Sequence, residues 1–139
     1  MYYQVNATYY SALGEDDKKM LMARAIQMFM PGKPQVWYLD LFAGKNDYDA
    51  VKRSGAGGHK EINRTNIAPE EISKKLEQPV VAKQLELLKL RNTFPAFGFD
   101  AEFKYTCNAS TLEITWSNNG HTAQLKADFD KMEYEIITK

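Results

Sequence analysis

The side chains that most often do chemistry are few in this 139-residue chain: two histidines, His59 and His121, and one cysteine, Cys107. A lone thiol cannot form a disulfide framework and leaves no second sulfur for a metal site. We therefore expect no metal and no cofactor. Cys107 shares the predicted strand face of Phe103 and Tyr105, which favours a buried and inert thiol. His121 lies beside a predicted turn, which is typical of a structural or exposed imidazole.

His59 and Lys60 lie in a long segment, residues 43–66, that is rich in glycine and carries one predicted helical turn from Asp47 to Lys52. Long irregular segments of compact domains are often functional. Asp47 is predicted to be a loop residue or a helix cap.

Composition excludes several classes of protein. Lys plus Arg and Asp plus Glu both number 18, so there is no basic field to attract nucleic acid. The hydrophobic fraction of 44% predicts an ordinary folded domain without a membrane span. The first residues do not resemble a secretory signal, and with one cysteine this predicts a reducing, cytoplasmic location.

The first two thirds of the chain are predicted to be mainly helical. An apolar run from Met20 to Met30 follows three acidic residues and predicts a buried helix. Pro69 and Pro79 are each predicted to open a further helix, the first supported by acidic residues near its start and lysines near its end. In the second helix, Val81, Leu85 and Leu88 fall at the spacing of one apolar face. Trp37, Trp116 and the helix methionines are predicted to be core residues.

Residues 35–42 form an almost continuous apolar run after a proline-glycine boundary. Such a run predicts a strand, from Val36 to Leu41, that is buried on both faces as in a parallel sheet. No second run of this kind occurs, although a parallel strand needs a neighbour. Two explanations stay open: the run is a helix, or the chain is a piece of a larger α/β protein.

From Asp100 onward the hydrophobic period changes to two, which predicts four strands of an antiparallel meander. Residues 118–120 (NNG) and 130–131 (DK) mark tight turns between strands. We place the boundary near Gly98, which predicts domains of residues 1–97 and 98–139.

Several short motifs, taken together and in this order, resemble the C-terminal part of sucrose phosphorylases. They are residues 3–13 (YQVNATYYSAL), 31–38 (PGKPQVWY), 44–47 (GKND), 61–64 (EINR), 79–81 (PVV) and 91–97 (RNTFPAF). The resemblance covers nearly the whole chain. It implies the last portion of a (β/α)8 barrel, with Val36–Leu41 as its last strand and flanking helices, followed by a small antiparallel β domain.

The resemblance also implies an activity for the full-length parent: retaining phosphorolysis of sucrose by inorganic phosphate, giving α-glucose 1-phosphate and fructose. Such chemistry needs a carboxylate nucleophile and an acid–base carboxyl group about 5–5.5 Å apart. In the family these groups lie on earlier barrel strands, so we expect no catalytic residue here and no activity from the chain alone. Tyr3 and Gln4 match a family pair on the acceptor side of the pocket. Lys60 aligns with a family arginine that reaches toward glucose. The resemblance therefore implies that His59 and Lys60 are candidates for substrate contact, and the alternative is that both are solvated loop residues.

Lysine keeps that positive charge but lacks the planar fork of arginine. This departure leaves open a related phosphorylase that acts on sucrose 6'-phosphate or glucosylglycerate. The alternative from another class is a non-enzymatic binding or interaction module. An incomplete barrel predicts self-association through its apolar surface, whereas a clean monomer with cooperative unfolding would favour the module.

Overall fold

The computed structural model describes residues 5–139, so the predicted site residues Tyr3 and Gln4 lie outside the described residues. The chain divides into two compact units: residues through Met20 with Val36–Ala82, and Leu21–Gln35 with Lys83–Lys139. None of the helices in residues 5–139 combines the length and apolar character that a membrane span requires. The predicted boundary near Gly98 stays a prediction.

Within residues 5–139, six α-helices precede the sheet in the sequence. They are α1 Tyr9–Ala12, α2 Asp17–Phe29, α3 Tyr38–Leu41, α4 Tyr48–Ser54, α5 Pro69–Leu76 and α6 Pro79–Thr93. Short 3₁₀ helices span Gly58–Asn63 and Pro95–Phe97. The predicted helices that open at Pro69 and Pro79 are confirmed, and the backbone N–H of Ala68 donates to the Glu71 carboxylate at 3.1 Å. That contact satisfies one of the N–H groups that a helix start leaves free.

The prediction of a buried strand from Val36 to Leu41 is wrong for this structure. Residues 38–41 form α3 instead, and only Leu39 of the predicted strand is buried. No strand among the described residues pairs with this run, and its backbone groups pair locally: the N–H of Leu41 donates to the Trp37 carbonyl at 3.0 Å. Trp37 itself is 50% exposed, so its assignment to the core is also wrong.

Helix α2 is buried along most of its length, as its apolar run predicts. Met20, Met28 and Phe29 are at most 1% exposed. The buried face of α6 differs from the prediction, because Leu85 is 37% exposed while Gln84 is fully buried. The burial of Gln84 is tolerated because its amide oxygen accepts a hydrogen bond from Arg24 of α2. The apolar spacing alone does not indicate this contact.

The four predicted strands are confirmed as an antiparallel sheet in the order β1-β2-β3-β4. They are β1 Glu102–Cys107, β2 Thr111–Asn118, β3 His121–Asp128 and β4 Glu133–Thr138. Pairs such as Ile114 opposite Leu125 form the buried face. The β2–β3 turn places Asn119 at φ +47° and Gly120 at φ +81°, the conformation that favours Asn-Gly.

Strand β1 departs from the predicted burial. Cys107 is exposed and Tyr105 is 66% exposed, so the prediction of a buried thiol is wrong. The reason is position: β1 is an edge strand of the described sheet, and alternation marks a face without showing that anything covers it. His121 is exposed, as predicted for a residue beside a turn, and its ring lies edge-on to Phe94.

Candidate functional site

The candidate site residues His59 and Lys60 lie on the 3₁₀ helix Gly58–Asn63 of the first unit, and both are half-buried. The helix begins after Gly57, which adopts φ +88°, a conformation that glycine allows without strain. Gly58 packs so closely on α4 that an added Cβ would overlap the Ser54 side chain. Ile62, 9% exposed, anchors the other end of the helix.

Three hydrogen bonds hold the C-terminal end of this 3₁₀ helix and the residues after it. The indole Nε1 of Trp37 donates to the Asn63 carbonyl at 2.9 Å, and the hydroxyl of Tyr38 donates to the Thr65 carbonyl at 2.8 Å. The N–H of Asp47 donates to the Ile62 carbonyl at 2.8 Å. These contacts come from both α3 and the start of α4. They therefore fix the C-terminal end of the 3₁₀ helix that carries His59 and Lys60.

Asp47 is a helix cap, as the sequence predicts. Its Oδ1 accepts from the N–H of Ala50 at 2.8 Å, and its Oδ2 is 3.4 Å from the hydroxyl of Thr65. A carboxylate at this position also interacts favourably with the positive end of α4. The predicted helical turn here is confirmed and extends to Ser54.

The N-terminal segment, defined here as residues 5–13, lies against the same part of the unit. Asn46 Oδ1 accepts from the N–H of Thr8, and Asp40 Oδ1 accepts from the N–H of Tyr9, each at 2.7 Å. Asn63 Nδ2 donates to the carbonyl of Ala7 at 3.3 Å. The sequence therefore missed Asp40, Asn46 and Asn63 as residues that shape the site; the only signal was the presence of the two asparagines in the quoted motifs.

Charges close to this segment are paired. Lys45 Nζ lies 2.6 Å from a carboxylate oxygen of Glu15, and this hydrogen bond is the main cause of the lowered pKa of Glu15. Burial first, and then a 2.9 Å hydrogen bond to Asp17, raise the pKa of the Tyr10 hydroxyl. Exposed ion pairs contribute little to stability, so these contacts mainly fix orientation.

A cleft of about 560 Å³ lies in the first unit, and Asn46 is among its lining residues. Its charged lining residues are Lys45, Asp47, Asp49, Glu71 and Lys75. His59 and Lys60 do not line it. Within residues 5–139, no three His, Cys, Asp or Glu side chains converge as ligands of a metal ion.

Known proteins match this chain over nearly its whole length. Sucrose 6(F)-phosphate phosphorylase of Ilumatobacter coccineus is 52% identical over 136 residues, which are 97% of this chain and 26% of that protein. Sucrose phosphorylase of Streptococcus mutans is 41% identical over 137 residues, covering 96% of this chain and 28% of that protein. The chain thus spans about a quarter of the length of these relatives. No family model matches it.

Two solved structures give the same result for the fold. That of sucrose 6F-phosphate phosphorylase from Thermoanaerobacter thermosaccharolyticum matches with a TM-score of 0.89 at 40% identity, over 97% of this chain and 27% of that one. The ligand-free cyclic α-maltosyl-(1→6)-maltose hydrolase from Arthrobacter globiformis matches with a TM-score of 0.68 over 88% of this chain and 25% of that one. At 16% identity the second likeness concerns the fold alone.

The structural neighbours are therefore glycoside hydrolase family 13-like proteins of the phosphorylase and amylase type, and the fold of this chain is consistent with a C-terminal domain of such proteins. More particularly, the chain is homologous to the C-terminal part of the sucrose phosphorylase family.

Proposed function

We propose that this chain forms the C-terminal part of a retaining phosphorylase that transfers glucose from sucrose, or from its phosphate ester, to inorganic phosphate. The observation that carries the proposal is the near-complete coverage of the chain, at 41–52% identity, by phosphorylases of sucrose and sucrose 6(F)-phosphate. Cytoplasmic location is part of the proposal, because a single cysteine is typical of proteins from a reducing compartment.

The chain's role in the parent is to complete the acceptor side of the active site. The two carboxyl groups of a retaining mechanism come, by family resemblance, from barrel strands that precede this part. The residues proposed here to contact substrate are Tyr3, Gln4, His59 and Lys60. The isolated chain is expected to have no phosphorolytic activity.

Residues 1–97 are proposed to be the last portion of the (β/α)8 barrel. Two features support this: Trp37 has extended backbone angles, φ −69° and ψ +139°, and the chain from 33 to 37 belongs to no helix. A neighbouring strand from the rest of a barrel would turn this extended segment into the last barrel strand. Without it, self-association through exposed apolar side chains such as Trp37 and Tyr48 is expected.

Phosphorylated sucrose is the second candidate substrate. Lys60 stands where the resemblance implies arginine, and 52% identity is to a protein named for sucrose 6(F)-phosphate. An ammonium group can bind a phosphoryl group as a point charge, whereas it grips a neutral sugar less specifically than a guanidinium does.

The test uses a joined polypeptide, in which the Ilumatobacter coccineus phosphorylase keeps its own N-terminal part and carries this chain as its C-terminal part. The kcat/KM is measured for sucrose and for sucrose 6'-phosphate, with Lys60 intact and with Lys60→Gln. If Lys60 binds the phosphoryl group, Lys60→Gln lowers kcat/KM for the phosphate ester by about tenfold, or about 1.4 kcal/mol, more than for sucrose. Equal losses for the two sugars would show that Lys60 does not bind the phosphoryl group. A joined polypeptide that folds but releases no glucose 1-phosphate from either sugar would refute the proposed function.

A further inference from the structure

We propose that Asn63 and Asn46 are positioning residues that set the acceptor side of the site, by fixing the N-terminal segment against the 3₁₀ helix that carries His59 and Lys60. This inference rests on the proposed function, and it adds a role for two side chains that do not themselves contact substrate.

The first observation is that three consecutive residues of the N-terminal segment are each held by a different side chain. The carbonyl of Ala7 accepts from Asn63, and the N–H groups of Thr8 and Tyr9 donate to Asn46 and Asp40. The three side chains come from the 3₁₀ helix, from the loop before α4, and from α3. One backbone acceptor, at Ala7, is followed by two backbone donors, at Thr8 and Tyr9, and each meets a side chain of the opposite kind. A shift of the segment by one residue would break this match.

The second observation is the junction at Asn63. Its side chain donates to Ala7, 56 residues away in sequence, while its own carbonyl accepts from the indole of Trp37. Lys60 lies three positions earlier on the same 3₁₀ helix. A displacement of Asn63 therefore moves the contact with the N-terminal segment and the helix with Lys60 together.

The third observation is that Asn46 contacts the segment twice. Its side chain accepts from Thr8, and its backbone N–H donates to the hydroxyl of Ser11 at 3.0 Å. Thr8 is fully buried, and its own hydroxyl accepts from the N–H of Ser11 at 3.1 Å, which starts α1. A buried N–H without a partner costs free energy, so loss of the Asn46 side chain is expected to release this segment.

The functional consequence concerns the second half of the retaining reaction. There the ester bond between glucose C1 and the enzyme carboxylate breaks, and a new bond forms from C1 to an oxygen of phosphate or of water. The proton that the attacking oxygen loses passes to the acid–base carboxylate. Phosphate must be bound and oriented, whereas water needs less positioning. Loosening the acceptor side should therefore lower phosphorolysis more than hydrolysis.

The main experiment measures the ratio of phosphorolysis to hydrolysis in the joined polypeptide at a fixed phosphate concentration. Asn63→Ala and Asn46→Ala are each expected to lower this ratio by about tenfold or more. Asn46→Asp keeps an oxygen acceptor for the N–H of Thr8 and is expected to retain most of the ratio. Asn66→Ala, at an exposed asparagine just after the same 3₁₀ helix, is the matched control. A purely structural role would lower phosphorolysis and hydrolysis in proportion. An unchanged ratio in both Asn63→Ala and Asn46→Ala would overturn the inference.

A second measurement needs no activity and uses the 139-residue chain itself. Amide hydrogen exchange at Thr8 and Tyr9 should be slow, and Asn46→Ala should speed exchange at Thr8 while Asn66→Ala should not. Asn63→Ala should speed exchange both in the N-terminal segment and in the 3₁₀ helix. Unchanged amide exchange in both Asn46→Ala and Asn63→Ala would refute the positioning role, whether or not the joined polypeptide is a phosphorylase. Conversely, a joined polypeptide without activity but with these exchange changes would refute the proposed function alone.

Discussion

Arg24 and Gln84 form a buried hydrogen bond in the second unit, from the guanidinium Nε to the amide oxygen, at 2.9 Å. Arg24 is 2% exposed and Gln84 fully buried. The guanidinium also donates to the side chain of Gln27. Burial of a guanidinium is costly unless its N–H groups have acceptors, so the hydrogen bond to Gln84 offsets part of the cost of burying Arg24.

We predict that Gln84→Leu lowers the free energy of unfolding by about 1–3 kcal/mol, because the buried Nε of Arg24 loses its acceptor while leucine retains good helix propensity. The measurement is urea unfolding followed by circular dichroism. Lys83→Leu, at the exposed neighbouring position, is the control and should change stability by less than about 0.5 kcal/mol. The double variant Arg24→Met with Gln84→Leu should regain most of the loss, since both polar partners are then removed. Equal midpoints for Gln84→Leu and Lys83→Leu would contradict this account.

The two tryptophans should report opposite environments. Trp116 is 7% exposed, and its Nε1 donates to the carbonyl of Phe29 at 2.7 Å, whereas Trp37 is half exposed. The chain with Trp37→Phe, which retains Trp116, is therefore expected to emit at shorter wavelength and to resist acrylamide quenching. The chain with Trp116→Phe should show the reverse and should lose about 1–3 kcal/mol, because the Phe29 carbonyl is left without its donor. Equal quenching of the two single-tryptophan chains would show that the burial assigned to Trp116 is wrong.

Gly44→Ala is predicted to destabilise the first unit by about 1–3 kcal/mol, because of overpacking. A methyl group there would lie 2.5 Å from Cγ of Leu39 and 3.0 Å from its carbonyl oxygen, and Leu39 is only 3% exposed. The neighbouring change Ala43→Gly is the control, since Ala43 has φ +49° and glycine adopts that conformation readily. Thermal unfolding should show a lower midpoint for Gly44→Ala and no decrease for Ala43→Gly. An unchanged midpoint in Gly44→Ala would mean that α3 and the residues after it pack differently.

Asp128 should give the sheet part of its acid sensitivity. Its pKa is lowered from the usual 3.8, chiefly by the backbone N–H of Lys131, which donates to the carboxylate at 2.9 Å across the β3–β4 turn. Because the folded-state pKa is below the unfolded one, the stabilisation is present above the unfolded value and is lost as pH falls through the folded value. Asp128→Asn should flatten the stability profile below about pH 4, and NMR titration of Asp128 should give a pKa below 3.8. A pKa at or above 3.8 would rule out this explanation.

The sheet could be predicted from the sequence because its information is local. Alternating residues such as Leu112, Ile114 and Trp116 define a strand, and each strand pairs with its neighbour through a short turn. The exposure of Cys107 could not be predicted in this way, because it depends on what covers an edge strand.

The apolar run at residues 35–42 was ambiguous because a buried strand and a short helix have the same composition there, and only neighbouring strands decide between them. The contacts that shape the candidate site were equally hidden. Asp40, Asn46 and Asn63 bind backbone groups that lie 31 to 56 positions away, so no periodicity indicates them. Resemblance supplied His59 and Lys60, and only the structure showed which side chains hold the N-terminal segment.

The central measurement is the release of α-glucose 1-phosphate from inorganic phosphate and either sucrose or sucrose 6'-phosphate. It compares the 139-residue chain with the joined polypeptide side by side. We predict release by the joined polypeptide with at least one of the two sugars, and no release by the chain alone, because in the proposed parent the two carboxyl groups of the retaining mechanism come from the part that precedes this chain. Release by the purified chain alone, or none by a folded joined polypeptide, would contradict the account.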